Sequence, residues 1–262
     1  MIKLVASDLD GTLLLPGGII PEETFALVEK LYERGITFAP ASGRQLPNLK
    51  KLFAPVLDKI AIIAENGGLA YCGGKVVYSN PTDGESVKYA LGKIAQVDGL
   101  HPLLSCADCA YYSSDFAPFV EKVHASYSSA RKVNDLAKIA ETENVIKISV
   151  WDEVTPCAEH GGKLLPPLIE GLRTMVSGRD WLDVSASNAN KGEALKALYS
   201  ALGISADECI GFGDHMNDLE MLEVCGKGYV TANAFAGLKA HGFEEVLSNA
   251  EQGVIIKLKE LL

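Results

Sequence analysis

A short apolar run leads into an acidic turn near the start of the chain: residues 2–12 read IKLVASDLDGT. Residues 2–7 are rich in strand formers and predict a buried β-strand. Asp8 and Asp10 follow two positions apart, and side chains with that spacing on an extended chain point to the same side. An Asp-Gly turn is the plain interpretation, but the full Asp-x-Asp-Gly-Thr string favours a ligand loop at the carboxyl end of the strand.

Helix and strand patterns alternate in the two outer parts of the chain. Near the N-terminus we predict, after the first strand, a helix at 21–35, a strand at 36–39, a helix at 45–58 and a strand at 60–64. Near the C-terminus we predict a helix at 190–202, a strand at 209–212, a helix at 216–223, a strand at 228–231 and a final helix. This alternation is typical of a parallel sheet with helices on both faces.

The middle of the chain has a different pattern. A hairpin is expected over 69–78 and a linker at 81–84, followed by a helix at 85–96 and strands at 103–105, 110–112, 145–150 and 181–184. Antiparallel strands mixed with helices indicate a separate α+β unit. We therefore predict an α/β fold: a Rossmann-like parallel core formed by residues 1–83 and 186–262, with an inserted α+β cap domain at 84–185.

A second acidic loop lies far from the first in sequence, where residues 211–218 read GFGDHMND. Asp214 could simply cap the next helix. If the two strands are neighbours, however, Asp8, Asp10, Asp214 and Asp218 meet at one edge of the sheet. Two carboxylates about 4 Å apart repel by about 4 kcal/mol at an effective dielectric near 20. Such a cluster needs a cation or raised pKa values, and oxygen ligands suit Mg²⁺ better than zinc.

Two further positions could face an anion at the same edge. Ser42, in the loop PASGR at 40–44, either caps a helix or donates a hydrogen bond to a phosphoryl oxygen. Lys191 lies in the first turn of a predicted helix, where a positive charge opposes the helix dipole. That position is unfavourable unless an anion is nearby, although an exposed helix lysine is the commoner case.

Four short motifs carry a family resemblance, and they occur in the order Asp8-Leu9-Asp10-Gly11-Thr12, Ser42-Gly43-Arg44, Lys191-Gly192 and Gly213-Asp214-x-x-Asn217-Asp218. Together they resemble the motifs of haloacid dehalogenase-like (HAD) phosphatases. The cap inserted between the second and third motifs resembles that of the Cof-type, subfamily IIB members. Three further features resemble Cof-type sequences: Glu65-Asn66-Gly67-Gly68, Asn233-Ala234 and Asn249…Gly253-Val254.

The resemblance implies a role for each motif residue. Asp8 would be the nucleophile that forms an aspartyl-phosphate, and Asp10 would protonate the leaving group and then activate water. Mg²⁺ would be held by Asp8, the Asp10 main-chain carbonyl and Asp214, with Asn217 and Asp218 in support. Substrate contacts are expected from Thr12, Ser42, Gly43, Arg44, Lys191 and Asn217, with Ser42 and Lys191 catalytic through their contacts with the phosphoryl oxygens.

The function that follows is a Mg²⁺-dependent phosphatase for a small phosphorylated metabolite such as a sugar phosphate, with the cap selecting the substrate. A phosphomutase of the phosphomannomutase type is one alternative, because those enzymes share this scaffold. A catalytically silent protein that binds a phosphorylated metabolite is another. Retention of both Asp8 and Asp10 favours an enzyme.

Composition bounds the remaining possibilities. The net charge is −10, which argues against a nucleic-acid surface. No signal-like segment or apolar run of about 18 residues is present, so a cytoplasmic protein without a membrane partner, a monomer or small homo-oligomer, is expected. The six cysteines are expected to be reduced thiols. Cys106-x-x-Cys109 is predicted to be a plain hairpin turn rather than a zinc or redox site.

Overall fold

The computed structural model describes residues 1–165 and 170–262 of the chain. The chain divides into two compact units. The first comprises Met1–Arg44, Leu52–Ser79 and Asn190–Leu262, and the second comprises Gln45–Lys51 and Asn80–Ala189. Residues 45–51, which we predicted as part of the core, therefore group with the second unit. That residues 84–185 form an independent domain stays a prediction.

The first unit contains one large sheet. Numbered along the whole chain, its strands are β1 (Leu4–Asp8), β2 (Thr37–Ala41), β3 (Ile62–Ala64), β4 (Leu69–Cys72), β5 (Lys75–Ser79), β12 (Cys209–Gly213), β13 (Lys227–Thr231) and β14 (Glu244–Val246). Their order across the sheet is β14-β13-β12-β1-β2-β3-β4-β5. The strands from β14 to β3 are parallel, whereas β4 and β5 form the predicted antiparallel hairpin. The predicted α/β class with a parallel core is confirmed.

Helices cover both faces of this sheet. They are α1 (Thr24–Glu33), α7 (Lys191–Leu202), α8 (Leu219–Val224), α9 (Ala236–Lys239) and α10 (Gly253–Lys259). On one face, Leu4 of β1 packs with Leu195 of α7. On the other face, Phe38 of β2 meets Phe53, which contacts Phe25 of α1, with ring centroids 6.3 Å and 6.1 Å apart. Burial on both faces explains why β1 is apolar up to its last two residues.

Two predicted helices of the N-terminal part are shorter than expected. The helix predicted over 21–35 begins only at Thr24 and ends at Glu33. The single helix predicted over 45–58 is instead α2 (Leu46–Leu52) followed by a 3₁₀ segment at Ala54–Lys59. Pro55 explains this break, because proline lacks a backbone N–H donor and disfavours a helical conformation in the residue before it.

The second unit contains the other sheet. Its strands are β6 (Leu100–Ser105), β7 (Ala110–Tyr112), β8 (Ala130–Lys132), β9 (Lys147–Asp152), β10 (Leu172–Val176) and β11 (Trp181–Ala186). They are arranged β10-β11-β9-β6-β7-β8 and pair antiparallel except for β7 with β8. An α+β unit is thus observed where one was predicted, with two more strands, β8 and β10, than the sequence patterns indicated.

Helices also pack on both faces of the second sheet. They are α3 (Gly84–Ile94), α4 (Ala117–Ser126), α5 (Leu136–Thr142) and the short α6 (Gly161–Leu164). Val87 of α3 and Leu136 of α5 share a buried cluster with Ile148 of β9. Phe119 of α4 packs with Trp151 on the opposite face of the same strand. Alternate side chains of β9 therefore point to opposite faces of the sheet and pack into two separate hydrophobic clusters.

The Cys106–Cys109 segment is a hairpin turn, as predicted. The backbone N–H of Cys106 donates to the carbonyl of Cys109 at 3.0 Å, between the paired strands β6 and β7. All six cysteines are free thiols. No helix in the described part of the chain combines the length and apolar character that crossing a membrane requires.

Candidate active site

The carboxyl ends of β1 and β12 lie side by side in the first sheet. The strands pair in parallel with Ser7 opposite Phe212, so Asp8 and Asp214 leave the sheet at the same edge. Oxygens of Asp8, Asp214 and Asp218 all lie within 4.8 Å of one another. The structure thus brings together three acidic residues that are up to 210 positions apart in the sequence.

Lys191 joins two of these carboxylates. Its Nζ lies 2.5 Å from Asp8 Oδ1 and 2.6 Å from Asp218 Oδ1, and its side chain is fully buried. The preceding residue, Asn190, caps α7 by accepting the backbone N–H of Glu193 at 2.9 Å. This cap fixes the first turn of the helix and thereby aims Lys191 at the sheet edge. The interpretation of Lys191 as an exposed helix lysine is wrong.

Burial and charge shift the pKa values in this cluster. Burial raises the pKa of the Asp8 carboxyl well above its usual range; the Lys191 charge opposes that rise and the charges of Asp218 and Asp214 add to it. Burial, and then the charge of Asp218, likewise raise the pKa of Asp214. Although burial alone would lower the pKa of Lys191, the charges of Asp218 and Asp8 raise it. The lysine is therefore held as an ammonium ion.

Asp214 is positioned by the turn that follows β1. Thr12 Oγ1 donates to Asp214 Oδ1 at 2.9 Å and is buried. A Cβ atom at Gly11 would lie 2.3 Å from Asp214 Oδ2, and Gly11 has φ +87°. We predicted Thr12 as a substrate contact, but its hydroxyl is directed to Asp214 and holds that carboxylate in place.

Asp218 stabilises the acidic loop through hydrogen bonds to the backbone of the same loop. While Oδ1 accepts from Lys191, Oδ2 accepts the backbone N–H groups of Asp214 at 2.9 Å and His215 at 3.1 Å. A Cβ atom at Gly213 would lie 2.5 Å from Asp218 Cβ, so this loop folds tightly on itself. With both oxygens engaged, Asp218 orients its neighbours more than it offers a coordination position.

Asp10 does not join the cluster, contrary to the expectation drawn from its spacing. The chain after Asp8 does not continue as a strand: Leu9–Leu13 form an irregular helical turn in which Gly11 has φ +87°. The Asp10 carboxylate instead accepts two hydrogen bonds from Arg44, 3.1 Å from Nε and 2.6 Å from Nη2. The Asp10 side chain remains 58% exposed, so it lies at the open side of the site.

The loop after β2 carries Ser42, which is buried and whose Oγ accepts the backbone N–H of Arg44 at 3.2 Å. The neighbouring Gly43 is close to Asn66, because a Cβ there would lie 2.8 Å from Asn66 Nδ2. Asn66 Oδ1 in turn accepts from Asn217 Nδ2 at 3.1 Å. Asn66 thus links the loop after β2 to the acidic loop after β12.

Residues near the C-terminus hold the turn after β1. The Gly11 carbonyl accepts from Asn233 Nδ2 at 2.8 Å, and the Leu14 carbonyl accepts from Asn249 Nδ2 at 2.8 Å. Asn233 Oδ1 also accepts the backbone N–H of Asn249 at 2.9 Å. We quoted both asparagines only as family features, without a role. Each asparagine follows a strand, which was the only hint of a role in the sequence. The sequence did not indicate which backbone carbonyl each side chain would bond.

The donor set fits a divalent cation. Three carboxylates face one ammonium group in this cluster, so two negative charges remain when all four groups are ionised. Carboxylate oxygens are hard ligands of the kind that Mg²⁺, Ca²⁺ and Mn²⁺ prefer. Asp8 and Asp214, at the sheet edge, are the residues of the cluster best placed to hold the ion.

Comparison with known proteins identifies the family. A family model described as haloacid dehalogenase-like hydrolase matches residues 5–258. The chain is a haloacid dehalogenase-like hydrolase. An HMP-PP phosphatase from Cronobacter sakazakii is 30% identical to this hydrolase over 244 residues, which cover 92% of this chain and 88% of the relative. The predicted class of enzyme, a phosphoric monoester hydrolase, is thereby confirmed.

Solved structures agree with the fold of this hydrolase. A protein from Eubacterium rectale is 27% identical, with a TM-score of 0.87 and coverage of 100% of this chain and 99% of that one. A haloacid dehalogenase-like hydrolase from Bacteroides thetaiotaomicron gives a TM-score of 0.84 at 24% identity, with full coverage of both chains. The second likeness concerns the fold alone.

Proposed function

We propose that this hydrolase is a Mg²⁺-dependent phosphatase in which Asp8 attacks the phosphorus atom of a small phosphorylated metabolite. The observation that supports this proposal is the Asp8–Lys191–Asp218 arrangement beside Asp214, with Nζ of Lys191 at 2.5 Å and 2.6 Å from the two carboxylates it joins. A carboxylate nucleophile divides one difficult displacement into two easier ones through an aspartyl-phosphate.

Lys191 and Ser42 would stabilise charge on the transferring group. The Lys191 ammonium is buried next to Asp8, so a phosphoryl group attached to Asp8 would lie within its reach. Ser42 Oγ accepts a backbone N–H and keeps its own proton for donation to a phosphoryl oxygen. Preorganised donors directed at the phosphoryl oxygens contribute most when charge accumulates in the transition state.

Asp10 would act as the general acid and then the general base. Its carboxylate is exposed on the open side of the turn, where the leaving group of a bound substrate can approach. Arg44 holds it through two hydrogen bonds, which fixes its orientation. Arg44, Gly43 and Asn217 remain proposed substrate contacts.

Asp8, the Asp10 main-chain carbonyl and Asp214 would hold Mg²⁺, with Asn217 and Asp218 in support. When bound, the ion supplies positive charge that offsets the repulsion between a carboxylate nucleophile and an anionic phosphate. Thr12 and Gly11 keep the Asp214 carboxylate in one position. We propose Mg²⁺ rather than zinc because the cluster offers oxygen donors.

The relatives support the proposed substrate class. The HMP-PP phosphatases that resemble this chain act, by their name, on a phosphorylated compound. We therefore propose a small phosphorylated metabolite, with sugar phosphates and HMP-PP as the first compounds to try. The second unit, predicted as 84–185, would select among them.

The test is hydrolysis of p-nitrophenyl phosphate by the full chain. Activity should disappear on chelation of divalent metal and return with Mg²⁺. Asp8→Asn should abolish phosphate release, while Asp207→Asn, at an exposed position in the same unit, should not change it. An Asp8→Asn protein as active as the parent would refute the proposal. Measuring free phosphate directly separates hydrolysis from transfer to a second sugar hydroxyl.

A further inference from the structure

Two cysteine side chains meet at the start of β12. Cys209 begins β12 and Cys225 follows the last residue of α8, and their sulfur atoms lie 3.7 Å apart. Cys209 is buried, whereas Cys225 is partly exposed. Neither thiol belongs to the acidic cluster or takes part in the proposed phosphoryl transfer.

The backbone around both thiols is held in place. Ile210 pairs with Lys227 in the parallel ladder of β12 and β13, and the N–H of Gly226 donates to the carbonyl of Ala206 at 2.8 Å. The Tyr199 hydroxyl donates to the carbonyl of Val224 at 2.9 Å. Since a disulfide has sulfur atoms about 2.05 Å apart, the two sulfur atoms would have to approach each other by about 1.6 Å on this frame to form the bond.

The hydrogen bond between the thiols shifts their pKa values in opposite directions. It lowers the pKa of Cys209 and raises the pKa of Cys225. Cys209 is therefore the sulfur with more thiolate character. A thiolate next to a second sulfur is the arrangement that disulfide formation requires.

We propose that Cys209 and Cys225 are a modification site that hydrogen peroxide converts to a disulfide. Peroxide reaches the pair on the side of Cys225, the partly exposed member. The thiolate of the pair attacks one peroxide oxygen and becomes a sulfenic acid, while the other oxygen leaves as hydroxide and is protonated to water by the remaining thiol. The second sulfur, now a thiolate, attacks the sulfenic sulfur, forms the S–S bond and displaces hydroxide, which is protonated to a second water. Two thiols are oxidised and one peroxide is reduced.

The bond would close a ring around the acidic loop. Residues 209–225 contain Asp214, Asn217 and Asp218, so the crosslink ties together the two ends of the segment that carries them. A disulfide restricts the unfolded chain, and the restriction makes unfolding less favourable. Oxidised protein should therefore melt several degrees higher than reduced protein. This inference does not depend on the proposed phosphatase activity.

The experiment is peptide mapping of the full chain after peroxide treatment. Cleavage before aspartate and after lysine places Cys209 in peptide 207–213 and Cys225 in peptide 218–227. We expect these two peptides to be joined, with a mass lower by two hydrogens than the sum of the free peptides, and to separate on reduction. Cys209→Ser and Cys225→Ser should each abolish the joined species, and Cys72→Ser should leave it unchanged.

Other products would overturn the inference. If both peptides keep free thiols at peroxide levels that oxidise exposed cysteines, or if Cys225 proceeds to sulfinic acid with Cys209 still reduced, the pair is not a disulfide site. A mapped disulfide without a rise in Tm would contradict the claim that the bond constrains the acidic segment. Because the mapping uses no substrate, its failure is distinguishable from failure of the proposed function.

Discussion

Gly11 lies so close to Asp214 that a side chain at this position has no room. A Cβ atom on Gly11 would lie 2.3 Å from Asp214 Oδ2. The Gly11 carbonyl accepts a hydrogen bond from Asn233 Nδ2 at 2.8 Å. The same residue has φ +87°, a conformation that only glycine adopts easily. Gly11 therefore fixes both the path of the turn and the position of the neighbouring carboxylate.

Gly11→Ala should lower activity by displacing Asp214. A misplacement of about 1 Å in an active site costs on the order of 100-fold in rate, so we expect kcat/KM for p-nitrophenyl phosphate to fall by about that factor. Gly17→Ala is the matched control, because Gly17 has φ +88° but nothing within 4 Å of its Cβ position. Equal loss of activity in both variants would show that backbone strain, not crowding of Asp214, is responsible.

Lys191 supplies the only positive charge that the described contacts place on Asp8. Replacing it with methionine removes the ammonium group that pairs with two buried carboxylates, those of Asp8 and Asp218. Breaking a buried ion pair costs about 3–5 kcal/mol, and we expect the free energy of unfolding in urea to fall by about that amount, with loss of hydrolysis. Lys196→Met, on the same helix with a 52% exposed side chain, should change neither. An unchanged free energy of unfolding for Lys191→Met would contradict this account.

Sequence patterns alone were informative for some residues of the site and not for others. Asp8, Asp214 and Lys191 could be placed together because strand ends and helix starts in a parallel sheet share one edge. Asp10 could not, since its direction depends on the bend at Gly11 and on Arg44, which is 34 residues away in the chain. The hydrogen bond between Thr12 and Asp214 joins residues 202 positions apart, so no local sequence pattern could predict it.

At the level of elements, the turn after β1 is held by the C-terminal segment. Asn249, at the start of a short 3₁₀ segment, donates from its side chain to Leu14 and from its backbone to Asn233. Asn233 in turn donates to Gly11. The last 30 residues of the chain therefore support the catalytic turn without contributing a proposed catalytic group.

Asn249→Ala should weaken this support. It leaves the Leu14 carbonyl without its side-chain donor, and an unmade hydrogen bond of this kind costs about 1–3 kcal/mol. We expect a lower free energy of unfolding and faster hydrogen exchange at residues 9–15, measured by mass spectrometry. The exposed Asn134 provides the control, since Asn134→Ala should leave exchange in that turn unchanged. Unaltered exchange at 9–15 in Asn249→Ala would contradict the proposed support.

Helices and strands could be predicted where the sequence pattern was long or where capping residues marked both of its ends. α7 (Lys191–Leu202) was predicted within one residue, because Asn190 caps it and Gly203 follows its end. β8 (Ala130–Lys132) was missed, because it has three residues and two are exposed and basic. Its pairing with β7 is a tertiary event that a three-residue pattern does not encode.

At the scale of the whole molecule, the chain enters and leaves the second unit at neighbouring points. Asn80 and Asn188 form a side-chain hydrogen bond of 3.0 Å, although 108 residues separate them. Such an arrangement is expected where one domain is inserted into another. Alternation of helices and strands predicted this interruption, but not the grouping of residues 45–51 with the inserted unit.

Replacing residues 84–185 with a short Gly-Ser linker should leave a folded first unit. The close approach of Asn80 and Asn188 allows a short linker to join the two ends, and the first sheet keeps its own core. We expect cooperative thermal unfolding by circular dichroism and retained hydrolysis of p-nitrophenyl phosphate, with altered preference among larger phosphorylated metabolites. A non-cooperative melt would contradict independent folding of the core, whereas unchanged substrate preference would contradict the selective role of the insert.

Asp8 is the residue that we propose carries the phosphoryl group during turnover. This proposal is tested most directly by quenching the reaction in acid, reducing any acyl phosphate with borohydride and mapping the modified residue by mass spectrometry. We expect the modification at Asp8, in the tryptic peptide 4–30, and we expect none in Asp8→Asn. A phosphoryl group mapped to Asp10 or to any other residue, or steady phosphate release with Asp8 unmodified at saturating substrate, would contradict the proposal.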